Sequence, residues 1–179
     1  MKFKKGLVLR CFRGFTRQNF LKKISDGFTL IELLVVFAII AILVSIVLVS
    51  LSDAKLKGND AGVKSNLNTI RSVTEIFYSD NRNSYLPSGG SAFNIATCPA
   101  YDASGTNMFS KDKTISNAIA EAVKRGNGSS CYNSKDVWAV AVGLKSNANA
   151  SWCVDSGGSS KREAFTPATA IDASTFSCR

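Results

Sequence analysis

From residue 28 to residue 51 the chain is apolar at nearly every position, reading FTLIELLVVFAIIAILVSIVLVSL. At about 1.5 Å per residue a helix of this run is long enough to cross a bilayer. A secretory signal has a shorter apolar core, about 7 to 15 residues, and a small-residue cleavage site behind it. The following SLSDAK makes a poor site, so the segment is expected to stay with the protein. Beyond it the pattern changes without breaking. Leu56, Val63, Leu67, Ile70, Val73 and Phe77 recur at steps of seven, four, three, three and four, the spacing of one helical face. One helix is therefore predicted over 28–79, with 28–51 transmembrane and 52–79 amphipathic. Gly58 and Gly62 are its weak points, and SDNRNSYLP ends it with turn-forming residues and Pro87.

The remainder, 80–179, is richer in Gly, Ser, Asn and Thr. Ile115, Ala118, Ile119, Ala122 and Val123 predict a helix over about Thr114 to Arg125, closed by Gly126. In DVWAVAVGL the residues Trp138, Val140, Val142 and Leu144 alternate with smaller ones, which predicts a half-buried strand. SWCVD reads as a second strand and SGGSS as a turn, with KREAF and the terminal STFSC as weaker strands. The aromatic face of such an antiparallel sheet needs a cover, and the amphipathic stretch from Leu56 to Phe77 supplies one. The fold class expected is α+β: a long N-terminal helix packed on a small antiparallel sheet.

Charge then fixes a direction. The net charge is +9 over 179 residues. Most of it sits in residues 1–27, where Lys2, Lys4, Lys5, Arg10, Arg13, Arg17, Lys22 and Lys23 face only Asp26. Basic residues flanking a transmembrane helix hold their end in the cytoplasm, so the N-terminus is expected inside and the C-terminus outside, in a single pass of the cytoplasmic membrane. Beyond the leader the adjacent basic pairs are Lys124 with Arg125 and Lys161 with Arg162, too little for a nucleic-acid surface, so nucleic acid is not an expected partner. The chain has no histidine, which removes imidazole catalysis. SGGSS lacks the lysine and helix of a phosphate loop, so the protein reads as no enzyme.

Four of the five cysteines, Cys98, Cys131, Cys153 and Cys178, fall in the segment expected outside, and Cys11 in the leader. An even number in an oxidising compartment implies two disulfides. Of the three pairings, the sequential one, Cys98 with Cys131 and Cys153 with Cys178, is simplest and would pin the C-terminal tail to a strand. By loop entropy each closure is worth about 3 to 4 kcal/mol. No metal and no cofactor are expected: CVDSGGSS offers Asp155 as its one carboxylate, too few for a calcium site.

One residue resists this scheme. Glu32 lies inside an apolar run that contains no Lys, Arg or His. An ionised carboxylate in hydrocarbon costs several kcal/mol unless it is paired. It can snorkel to the headgroups, take up a proton, or pair with a cation from another copy of the chain. A cut between Gly27 and Phe28 would create such a cation, a new α-ammonium at the start of the helix.

The string Gly27, Phe28, Thr29, Leu30, Ile31, Glu32, Leu33, Leu34, preceded by Lys22 and Lys23, resembles the class III signal sequence of type IV pilins and of the pseudopilins of type II secretion. FYSDNRNSYLP is similar to the end of their long helix and the loop behind it. The resemblance implies a pilin-like fold. It implies removal of the leader 1–27 by prepilin peptidase between Gly27 and Phe28, N-methylation of Phe28, and recognition of a neighbour's N-terminus by Glu32. It further implies homo-oligomerisation through the N-terminal helix with the pilus or secretion assembly machinery, ending in an extracellular or periplasmic filament. The expected function is a structural pilus subunit, with a secretion pseudopilin or a minor pilin for DNA uptake as alternatives.

Overall fold

The structure is a computed structural model that describes residues 27–179. The basic leader, with Cys11, Lys22 and Lys23, lies outside the described residues. The chain divides into two units, one ending at Val44 and one from Ser45 to Arg179, and helix α1 (Leu30–Asp80) contributes to both. In the first unit every described residue is exposed, including the large apolar side chains from Phe28 to Val44. By length and composition α1 is apolar enough to cross a membrane.

In the second unit α1 runs unbroken through Gly58 and Gly62. Val63, Leu67, Ile70 and Phe77 are buried in the main core, with Val73 packed at its edge. The helix ends at Asp80. The Asn81 N–H and its side-chain amide both donate to the Phe77 carbonyl, and Arg82 and Asn83 adopt left-handed φ of 57° and 58°. A short asparagine tolerates that conformation, which is why the turn falls in DNRN.

The head is a five-stranded antiparallel meander of sequential order: β1 (Phe93–Ala96), β2 (Ser129–Asn133), β3 (Trp138–Gly143), β4 (Ser151–Asp155) and β5 (Ser160–Glu163). Between β1 and β2 lie α2 (Met108–Lys111) and α3 (Lys113–Arg125), and α4 (Pro167–Ala170) follows β5. Asp112 caps α3, its carboxylate accepting from the N–H groups of Thr114 and Ile115 at 2.8 and 2.9 Å. Gly126 caps the C-terminus of α3, its N–H donating to the Ala122 carbonyl, and only glycine fits there because a Cβ would lie 2.3 Å from the Gly143 carbonyl. The fully buried Asn133 holds three segments together. Its amide donates to the carbonyls of Tyr85 and Ser134, and its Oδ1 accepts from the Met108 N–H.

Two expectations need correction. The strand at 138–143 is buried on both faces, not one. Trp138, Val140 and Val142 face α1, while Ala139 and Ala141 lie under Ala170, Ile171, Phe176 and Cys178. Small side chains on that second face let the C-terminal segment approach, and a disulfide from Cys153 holds it there. Second, STFSC is not a strand. Asp172 folds it into a turn, accepting from the N–H groups of Ser174 and Thr175, and its sheet-like pairing is a single bridge from Ile171 to Cys178.

Candidate functional site

Gly27, Phe28 and Thr29 precede α1 in non-helical backbone. Phe28 is 87% exposed, and among the described residues nothing lies within 4 Å of where a Cβ on Gly27 would stand. Phe28, Ile31, Glu32, Val35 and Val36 line one shallow apolar hollow along the helix, at the three- and four-residue spacing of a single face.

Glu32 stands in the first turn of α1. Its Oε2 accepts from the Thr29 N–H and from the Thr29 hydroxyl, both at 2.8 Å, and the Glu32 N–H donates back to Thr29 Oγ1 at 3.3 Å. This is a capping box: a threonine at the N-cap and a glutamate three residues on satisfy each other's backbone donors. The three fates considered for Glu32 from the sequence omitted this one. The signal was available, since Thr29-Leu30-Ile31-Glu32 has the spacing of the motif. Glu32 is thus held in place by its own chain, at the positive end of the helix dipole.

The other site residues lie in the head. Cys98 is bonded to Cys131 and Cys153 to Cys178. Asp155 has no oxygen aimed at solvent for an ion. Its Oδ1 accepts from the Ser159 N–H and its Oδ2 from the Cys178 N–H, both at 2.9 Å, so the carboxylate closes the β4–β5 turn and fastens the tail. Among the described residues no cluster of three His, Cys, Asp or Glu is arranged to hold a metal.

A second carboxylate, also missed from the sequence, joins α1 to the head. Asp60 is buried on α1, and its Oδ1 accepts from the N–H groups of Lys145 and Ser146 at 2.6 and 3.3 Å, while its Oδ2 accepts from the Ser146 hydroxyl. It sets where the β3–β4 loop meets the helix.

Residues 22–48 match the prokaryotic N-terminal methylation motif. Over 61 residues, 34% of this chain, the sequence is 48% identical to the type IV wide pilus major component PilA4 of Thermus thermophilus. The match spans 46% of that protein, less than half of its length. No solved structure matches the chain.

Proposed function

We propose that the chain is a type IV pilin, a structural subunit that is processed between Gly27 and Phe28 and polymerises into a pilus. The observation that carries the reading is an exposed apolar helix whose only early charge, Glu32, stands one turn from an exposed Gly-Phe bond. Residues 1–27 form the leader, 28–79 the helix with its membrane half at 28–51, and 80–179 the extracytoplasmic head.

In this reading the leader's cations hold the N-terminus in the cytoplasm and present the Gly27–Phe28 bond to prepilin peptidase. Hydrolysis frees the Phe28 amine, which is methylated and stays cationic. When subunits leave the membrane their apolar helices bury one another, in place of lipid, and the Phe28 ammonium of one copy meets Glu32 of its neighbour. Low dielectric makes this pair a strong determinant of axial register, whatever its net contribution to stability. The disulfides keep the thin head folded outside the cell. Similarity to a pilus component favours a pilus over a secretion filament.

The test is Glu32→Ala in the full chain. Membrane insertion and cleavage after Gly27, read by mass spectrometry of the mature N-terminus, are expected to survive. Sheared surface filaments, counted by electron microscopy, are expected to disappear or fall sharply. Filaments in normal number from this variant would refute the role of Glu32, and an unmethylated, uncleaved chain in wild-type filaments would refute the processing.

A further inference from the structure

The sequence scatters its cations beyond the leader, but the fold gathers six of them at one end of the head. The continuous exposed apolar run of α1 in this unit ends at Leu51, and Lys55 and Lys57 stand exposed on the next turns. The β3–β4 loop is brought to the same level by Asp60, and the Lys145 ammonium beside it donates to the Gly126 carbonyl at the foot of α3. Arg125 lies across α1 at Gly62, where a Cβ would meet its Cδ at 2.5 Å. Lys64 stands 4.7 Å above the Trp152 ring, and Trp152 pairs across the sheet with the exposed Arg162.

The neighbouring acids offset part of this charge. Glu121 pairs with Lys124 at 3.8 Å and Glu163 with Lys161 at 3.3 Å. Asp60, although bonded by neutral backbone and hydroxyl donors, keeps its negative charge, and Asp53 near Lys55 and Lys57 adds a second, so the six cations face two uncompensated acids and the face stays positive. At a rise of about 1.5 Å per residue, Lys55 and Lys57 lie roughly 6 and 9 Å beyond Leu51 along the axis, and the Asp60 level roughly 13 Å beyond it. A headgroup layer extends about 5 to 8 Å past the hydrocarbon, and its surface potential decays over a further 8 to 10 Å or so. Lys55, Lys57 and Lys145 lie within that zone; Arg125 and the exposed Arg162, at levels roughly 16 and 20 Å beyond Leu51, extend to it through their long side chains, and Lys64, held over Trp152, stands at its outer edge.

We propose that this basic face docks on anionic phospholipid headgroups of the outer leaflet of the cytoplasmic membrane while the subunit waits to be assembled. The proposal rests on the membrane-anchored reading above. It differs from that reading in its partner: the anchor needs only hydrocarbon, the basic face needs phosphate.

The experiment uses the full chain in vesicles of phosphatidylcholine alone or mixed with phosphatidylglycerol. Flotation reads anchoring, and hydrogen exchange at backbone amides 144–150 reads docking. Each basic residue at an anionic surface contributes about 1 kcal/mol, so docking through even one of them slows exchange roughly fivefold. The expected result is flotation with both lipids and slower exchange with phosphatidylglycerol only, lost at high salt and in Lys57→Glu/Arg162→Glu. Lys135→Glu, in the turn at the far end of β2 and β3, keeps the effect. If the charge-reversed pair disturbs exchange in the sheet core, Lys57→Gln/Arg162→Gln takes its place. Equal exchange in both lipids, or protection retained in the paired variant, overturns the proposal while leaving the anchor intact. An oligonucleotide that protects the same amides on phosphatidylcholine vesicles would make nucleic acid the partner and overturn it as well. Failure to float with either lipid defeats both readings.

Discussion

Replacing Cys153 and Cys178 together by alanine tests how the head is closed. The bond spans 25 residues, and a loop of that length restricts the unfolded chain by about 3.5 kcal/mol. Domain stabilities run from about 5 to 15 kcal/mol, so the loss is a quarter or more of the total. With a urea slope of about 1 to 3 kcal/mol per molar, the midpoint of Trp138 and Trp152 fluorescence is expected to fall by roughly 1 to 3 M. The Cys98–Cys131 bond spans 33 residues and gives nearly the same entropic value, about 3.7 kcal/mol, so Cys98→Ala/Cys131→Ala is the matched control. The two variants differ in what they release. Without Cys153–Cys178 the tail loses its covalent tie and keeps the packing of Ala170, Ile171 and Phe176 on Ala139, Ala141 and Tyr132, the Ile171–Cys178 bridge, the Cys178 N–H to Asp155 and the Arg179 N–H to the Ala170 carbonyl. Amides 170–178 are therefore expected to exchange fast in that variant and to stay protected in the control. A midpoint shift smaller than about 0.5 M, or a tail as protected as in the parent, would refute the account of a tail held by its disulfide.

Three further outcomes follow from the geometry. Asp60→Ala removes three charge-assisted bonds at a site whose donors can reach water, and is expected to lower stability by about 2 to 3 kcal/mol, with Asp60→Asn losing about half; urea titration together with faster exchange at Lys145 and Ser146 checks both. Burial and its hydrogen bond to Glu75 push the Tyr85 phenol up to about 12, above its ordinary 10.0. The neutral phenol is favoured by the fold, so that stabilisation is complete below pH 10 and drains away towards pH 12; Tyr85→Phe should lose about 1 kcal/mol at neutral pH and show a flatter alkaline denaturation curve. The hydroxyl and N–H of Ser174, then the Thr175 N–H, hold the Asp172 carboxyl down to about 2 from 3.8. Here the ionised form is favoured, so the turn is intact above pH 3.8 and loosens as pH falls towards 2; exchange at Ser174 and Thr175 should show that acid dependence in the parent and lack it in Asp172→Asn.

Where side-chain periodicity is strong, sequence and structure agree. Val63, Leu67, Ile70 and Phe77 announce the buried face of α1, and Trp138, Val140 and Val142 announce the face of β3 that meets it. The strands β1 and β2 carried no such signal. FNIA is four residues long, and SSCYN is polar yet buried, because it lies second in the sheet and Asn133 spends its amide on three backbone partners. The cover over Ala139 and Ala141 was equally hidden, since alternation of large and small residues looks the same whether the small side faces water or a tail. In the site, Gly27, Phe28 and Glu32 were legible as a string. Periodicity does not carry the Thr29–Glu32 box; the three-residue spacing of Thr29 and Glu32 does, inside a run whose apolar character otherwise dominates.

That box changes what filament formation asks of Glu32. A carboxylate already holding two donors from Thr29 does not wait as a bare charge in the bilayer. In the proposed filament an arriving ammonium would enter an exchange, its gain being the difference between two sets of bonds, smaller than the full strength of an ion pair in hydrocarbon. A joint made by exchange can be unmade by the same route, since a subunit that leaves falls back onto its own threonine. In the proposed assembly the first turn of α1 would thus give the subunit an internally bonded state both before it joins a filament and should it leave one.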